Sequence, residues 1–66
     1  MNILINGRNE EVREGLPLPE LLDQLELSGK RIAVEVNEEL VPRSAHAHCV
    51  LQEGDRVEIV HAIGGG

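Results

Sequence analysis

The sequence predicts an α+β domain of two layers, a mixed sheet of four or five strands with one helix packed across it. Three observations predict it. Asn2–Asn6 and the stretch from Arg56 to about Ala62 alternate apolar and polar residues, the period of a half-buried strand. Asn6-Gly7 follows the first of these runs and favours a tight hairpin, because both central residues of a type I′ turn need φ > 0. Between the runs, Leu18, Leu21, Leu22 and Leu25 recur at the spacing of one helical face. A lone hairpin cannot bury its inner face; a helix laid across the sheet does so.

In the first strand, Ile3 and Ile5 share one face and Asn2, Leu4 and Asn6 the other. A second strand, Arg8 to Arg13, is polar at Glu10, Glu11 and Arg13 and turns Val12 inward, as suits a solvated edge. Gly15 interrupts the pattern. Pro17 and Pro19 stand at the helix entrance, where a fixed φ is an advantage, and Glu20, Asp23, Gln24 and Glu26 take its wet side. Ser28-Gly29 is expected to close the helix, with Gly29 as the left-handed cap. Arg31–Val36 reads as a strand with Ile32, Val34 and Val36 on one face and Ala33 and Glu35 on the other. Asn37-Glu38-Glu39 is a turn, and Leu40-Val41 a short strand stopped by Pro42. Ser44 is expected to cap one helical turn through His48, and Val50 and Leu51 to return to the core. After the turn Glu53-Gly54-Asp55, the last strand turns Val57 and Ile59 inward and Glu58 and Val60 outward. The connection through the helix lets a later strand pair parallel to the first. This order is the plan of the ubiquitin-like β-grasp, in which the final strand lies in mid-sheet beside the first.

Sixty-six residues make one domain with a small core, which leaves no room for a deep pocket and disfavours a self-sufficient enzyme. The core must be aliphatic, since the chain has no Phe, Trp or Tyr; for the same reason there is no stacking platform for bases. Twelve acidic and six basic residues give a net charge of −6, which argues against nucleic acid and for a basic protein surface as partner. Cys49 is the single cysteine and sits in an apolar run, so it reads as a small core residue of a protein from a reducing compartment. The start lacks the basic and apolar regions of a signal peptide, and no segment is long and apolar enough to span a membrane. The expected location is the cytoplasm. His46-Ala47-His48 has no Cys, Asp or Glu close by and is a weak metal signal; no metal site is expected.

The remaining stretch is Ile63-Gly64-Gly65-Gly66. Three consecutive glycines are costly to order, so residues 1–62 are read as the folded domain and residues 63–66 as a free tail. Such a tail passes where a side chain would not fit, and it ends in an α-carboxylate. Gly66 is the candidate for the chemistry, Gly64 and Gly65 for threading, and Ile63 for anchoring the base. On the outer sheet face, Leu4 and Val60 are candidates for an apolar docking patch, if the first and last strands are neighbours.

The whole chain resembles the ThiS family of sulfur carriers of thiamine biosynthesis. The likeness rests on Ile3-Leu4-Ile5-Asn6, on Glu20-Leu21-Leu22 with Leu25, on the Asn37-to-Arg43 segment ending Leu40-Val41-Pro42-Arg43, and on Glu53-Gly54-Asp55 with the Gly-Gly end. The Gly-Asp turn and Gly-Gly end are shared with other ubiquitin-like carriers, including the small subunit of molybdopterin synthase; the Asn37–Arg43 segment and the short length favour the thiamine branch. Pro17 stands where a capping Thr or Ser is usual and Gly64 where Ala is common. The resemblance implies a co-substrate rather than an enzyme. A ThiF-like adenylating enzyme would use ATP and Mg²⁺ to activate Gly66, a persulfide would supply sulfur, and the resulting thiocarboxylate would serve a ThiG-like thiazole synthase. It places Arg43 at a basic position of the shared segment, a candidate for pairing with an acidic group of a partner. The carrier itself would bind no cofactor and is expected to be monomeric when free. Other readings are a molybdopterin-type carrier, a ubiquitin-like protein modifier, or a passive β-grasp interaction module.

Overall fold

The computed structural model describes residues 1–62. Its strands are β1 (Asn2–Ile5), β2 (Arg8–Glu11), β3 (Ile32–Val36), β4 (Glu39–Val41) and β5 (Arg56–His61), with helix α1 (Leu18–Gln24) and a 3-10 helix (Arg43–His48). The five strands form one sheet in the order β2-β1-β5-β3-β4. Only β1 and β5 run parallel; the other neighbours are antiparallel. This is the mixed sheet crossed by one helix that the sequence predicts, with the last strand at its centre. Among the described residues no helix is long and apolar enough to cross a membrane.

The core is the aliphatic layer between α1 and the sheet. Leu18, Leu21 and Leu22 from the helix meet Ile3, Val34, Val57 and Ile59 from three strands, and Leu16 and Leu51 close the ends. Turn chemistry sets the registers. Asn6 and Gly7 both have positive φ between β1 and β2, the type I′ geometry whose twist matches the strands. Asn37 and Glu38 repeat it between β3 and β4, where Val36 faces Glu39.

Several elements differ from expectation, each for a definite reason. Strand β2 stops at Glu11, opposite Asn2 at the start of β1, instead of Arg13; beyond it the Val12 N–H donates to the Met1 carbonyl, and the Met1 ammonium donates back to the Val12 carbonyl. Helix α1 ends at Gln24, so Leu25 becomes its C-cap and is 40% exposed instead of completing the buried stripe. The left-handed cap residue is Glu26 (φ 60°), not Gly29. The Leu27 N–H reaches back to the Leu22 carbonyl and the Glu26 N–H to the Asp23 carbonyl, the bond pair of a Schellman cap. Gly29 also has positive φ, but in the turn that follows.

Pro42, not Ser44, occupies the cap position of the 3-10 helix, with no side-chain cap bond. Val50 does not return to the core. It is 54% exposed while Leu51 is buried, because the segment is extended and pairs with the chain before α1: Leu18 N–H donates to Cys49 and Leu51 N–H to Leu16. Consecutive residues on extended backbone point to opposite sides. Leu16, fully buried, was missed for the same reason, since it precedes the helical stripe. With Pro17 as N-cap, Leu16 and Leu21 hold the two positions of a hydrophobic staple.

Candidate functional site

The site is best built from the end of β5. This strand is flanked by β1 on one side and β3 on the other, so both edges of its backbone have neighbours. Pairing with β3 runs to its last residue, where His61 faces Ile32, and the Ala62 N–H then donates to the Arg31 carbonyl at 2.9 Å. On the other side β1 turns away at Asn6 and leaves Ile59 without a backbone partner there. The Asn6 side chain replaces it: its amide oxygen accepts from the Ile59 N–H at 2.8 Å and its amide nitrogen donates to the Ile59 carbonyl at 3.2 Å. One carboxamide thus extends the parallel ladder by one residue. Ala62 is therefore a fixed point of departure at the end of the central strand. Ile63, Gly64, Gly65 and Gly66 lie outside the described residues, as does the proposed tail segment 63–66.

A second polar knot holds the start of β5. Asn37 donates from its side-chain nitrogen to Asp55 and accepts the Arg56 N–H, each at 3.0 Å, while its own N–H donates to the Arg56 carbonyl. Asp55 also accepts the Gln52 N–H, which closes the Glu53-Gly54 turn. These side chains tie the β3–β4 turn to the head of β5. Sequence reasoning took Asn6, Asn37 and Asp55 as turn residues only; their long-range bonds leave no local signal.

Leu4 and Val60 do share the outer face of the sheet. Leu4 is half-buried opposite Arg56, and Val60 is 60% exposed beside Ala33. They do not form one apolar patch. Val60 lies four residues beyond Arg56, roughly 13 Å along the strand, and Glu58 stands between them. Glu58 faces Glu35 across β3 and β5, and both are exposed. Leu40, 63% exposed, faces Glu35 from β4. The face is thus a central pair of carboxylates ringed by Leu4, Val60, Ala33 and Leu40. Such a mixture suits a partner surface with basic and aliphatic groups better than a purely apolar one.

Arg43 begins the 3-10 helix, and its Nη2 donates to the Lys30 carbonyl at 3.1 Å. The ion pairs found among the described residues are Arg13–Glu20 and Arg56–Glu38, so Arg43 has no carboxylate partner there. His46 Nε2 lies 3.1 Å from the Val41 carbonyl. Cys49 is half-buried against the core rather than fully enclosed. Burial pushes its thiol pKa up, and the negative charge of Asp55 adds to the shift. A thiol so placed is a weak nucleophile. Among the described residues no group of three or more His, Cys, Asp and Glu side chains is placed to hold a metal ion.

Residues 3–66 match the family model of the ThiS family. The sulfur carrier protein ThiS of Escherichia coli is 33% identical over 66 residues, all of both chains. The chain belongs to the ThiS family.

The crystal structure of the ThiS of Geobacter metallireducens superposes with a TM-score of 0.88 at 35% identity, with both chains fully covered. Two proteins named thiazole synthase also match the whole chain. That of Paramagnetospirillum magneticum is 38% identical and that of Magnetococcus marinus 41%, and in each case the chain spans 20% of the relative's length. ThiS proteins are small sulfur carriers of thiamine biosynthesis rather than enzymes, and this chain has their fold and length. Within that fold the Asn37–Arg43 segment is the β3–β4 hairpin with its Asn37 knot, and Glu53-Gly54-Asp55 is the turn that launches β5.

Proposed function

We propose that this member of the ThiS family carries sulfur as a thiocarboxylate on Gly66 and delivers it to thiazole synthase. The observation that carries the reading is the anchoring of the chain up to Ala62, at the end of the central strand, immediately before a sequence of one aliphatic residue and three glycines. A side-chain-free end leaving a rigid body can enter another protein's narrow site without dragging the domain in. Ile63 would seat the base of the tail, and Gly64 and Gly65 would pass where a Cβ would clash.

The chemistry begins with a carboxylate whose ordinary pKa of about 3.3–3.7 leaves it ionised at neutral pH and poor as an electrophile. An adenylating enzyme of the ThiF kind, with ATP and Mg²⁺, supplies activation: a Gly66 carboxylate oxygen attacks the α-phosphorus and pyrophosphate leaves. A persulfide sulfur then attacks the acyl carbon, AMP leaves, and a thiol cleaves the S–S bond to give the thiocarboxylate. The free carrier works as a cytoplasmic monomer, with Leu4, Val60 and Arg43 on the surfaces that meet partners. That thiazole synthases contain a segment resembling this chain supports thiazole synthase as the acceptor.

Intact mass after incubation with the adenylating enzyme, ATP and a persulfide donor tests the reading. One oxygen replaced by sulfur, lost on Gly66 deletion or Gly65→Ala, is the expected result. An adduct to protein lysines would make the chain a modifier, and an unchanged mass would leave it an interaction module.

A further inference from the structure

We propose that the cleft between the end of α1, the start of β3 and the 3-10 helix binds a carboxylate side chain of the protein that receives the C-terminus. The proposal rests on the carrier reading and adds a second point of attachment to it. The cleft has a volume of about 290 Å³. Leu22 and Ile32 help to form an apolar wall, and Lys30, Arg43 and His46 line the rest.

Its charge sets it apart. The chain has twice as many acidic as basic residues, yet no Asp or Glu lines this cleft. Asp23 borders it only through Ser28, whose hydroxyl it accepts. Lys30 and Arg43, two of the six Lys and Arg residues, line it. Elsewhere Arg13 and Arg56 are paired with Glu20 and Glu38. Arg43 is also aimed. One guanidinium nitrogen is held by the Lys30 carbonyl, which orients the planar fork and leaves its other N–H groups for a second acceptor.

Position selects the ligand. Arg31, next to Lys30, accepts the Ala62 N–H, so the cleft opens beside the point where the C-terminal residues depart. A protein that engages those residues comes within reach of it. The reacting carboxylate is four residues further on, up to ~14 Å by covalent reach. Charge complementarity makes the anion that meets Lys30 and Arg43 the partner's own Asp or Glu. The apolar wall receives that side chain's methylene stem.

The test uses the full chain and its adenylating enzyme, with affinity measured by calorimetry at two salt concentrations. Lys30→Gln and Arg43→Gln should each weaken binding ~3–10-fold and flatten its salt dependence. Among the described residues Lys30 makes no side-chain hydrogen bond or ion pair, so its variant reports on the cleft even if Arg43→Gln loosens the loop. Affinity within twofold of wild type for both variants would overturn the proposal while leaving the carrier intact. A wild-type chain that is not adenylated at all would overturn the carrier reading first. Inorganic phosphate, titrated into ¹⁵N-labelled carrier, should give no saturable shift at Lys30 or Arg43 below ~1 mM; saturation there would make the cleft a small-anion site instead and also overturn the proposal.

Discussion

At the scale of single residues, two side chains carry consequences that backbone pattern does not announce. Asn6 adopts positive φ for the turn and also pairs with both backbone groups of Ile59. Asn6→Gly keeps the turn geometry but removes the carboxamide and leaves Ile59 without those partners. It should destabilise the fold by ~1–3 kcal/mol and speed amide exchange at Ile59, read by chemical denaturation and hydrogen exchange. Glu26 is the converse case. It holds φ 60° as the left-handed cap of α1, and its negative charge lies at the negative end of the helix dipole. Glu26→Gly removes both penalties and should stabilise by ~0.5–1 kcal/mol, seen as a higher urea midpoint with an unchanged slope.

Cys49 supplies the pH dependence. Its folded thiol has a raised pKa, first from burial and then from Asp55, so the folded state holds the proton more tightly than the unfolded chain. Stability from this group is full below the unfolded thiol pKa of ~8.5 and is lost as pH rises through the folded value. Unfolding free energy should decline above that pH in the native chain and less so in Cys49→Ala. Alkylation of the folded protein near pH 8 should be slower than that of the urea-unfolded chain.

At the scale of elements, the β3–β5 pair is the one with an internal conflict. Glu35 and Glu58 face each other on the outer sheet surface, and like charges directly opposite are unfavourable. Glu58→Lys should raise stability by ~0.2–1 kcal/mol, toward the lower end because both residues are exposed and water screens them. If that face meets basic partners, the same substitution should weaken binding to the adenylating enzyme. Thermal unfolding and calorimetry on one variant would thus show a stability gain against a binding loss. The edge strands show the opposite economy: β2 is exposed and highly charged, and β4 is three residues long before Pro42, two devices that discourage edge pairing.

At the scale of the whole molecule, the carrier reading requires that the scaffold and the carrier end be separable. The buried core draws on residues from Ile3 to Ile59, and β5 ends at His61. Deleting residues 64–66 should therefore leave the melting temperature within about 2 °C, on the usual scale of a few degrees per kcal/mol for a small domain, while abolishing sulfur loading. A large fall in melting temperature would mean that the terminal glycines belong to the fold.

Much of this molecule was legible in its sequence, because periodic patterns report which way each side chain faces. Alternation placed β1, β3 and β5, the leucine spacing placed α1, and Asn6-Gly7 placed the first turn, since only certain residues adopt positive φ readily. The ThiS resemblance likewise rested on short motifs read in order. Tertiary structure alone decided where elements stop and which polar groups meet. Strand β2 ends at Glu11, opposite Asn2 at the start of β1, and α1 ends at Gln24 with its left-handed cap at Glu26 rather than Gly29, because the Schellman bonds close there. Asn6 reaches Ile59, and Lys30 and Arg43 flank one cleft, across 53 and 13 positions of sequence. Periodicity carries the local direction of a side chain; it holds no record of what the folded chain brings to meet it.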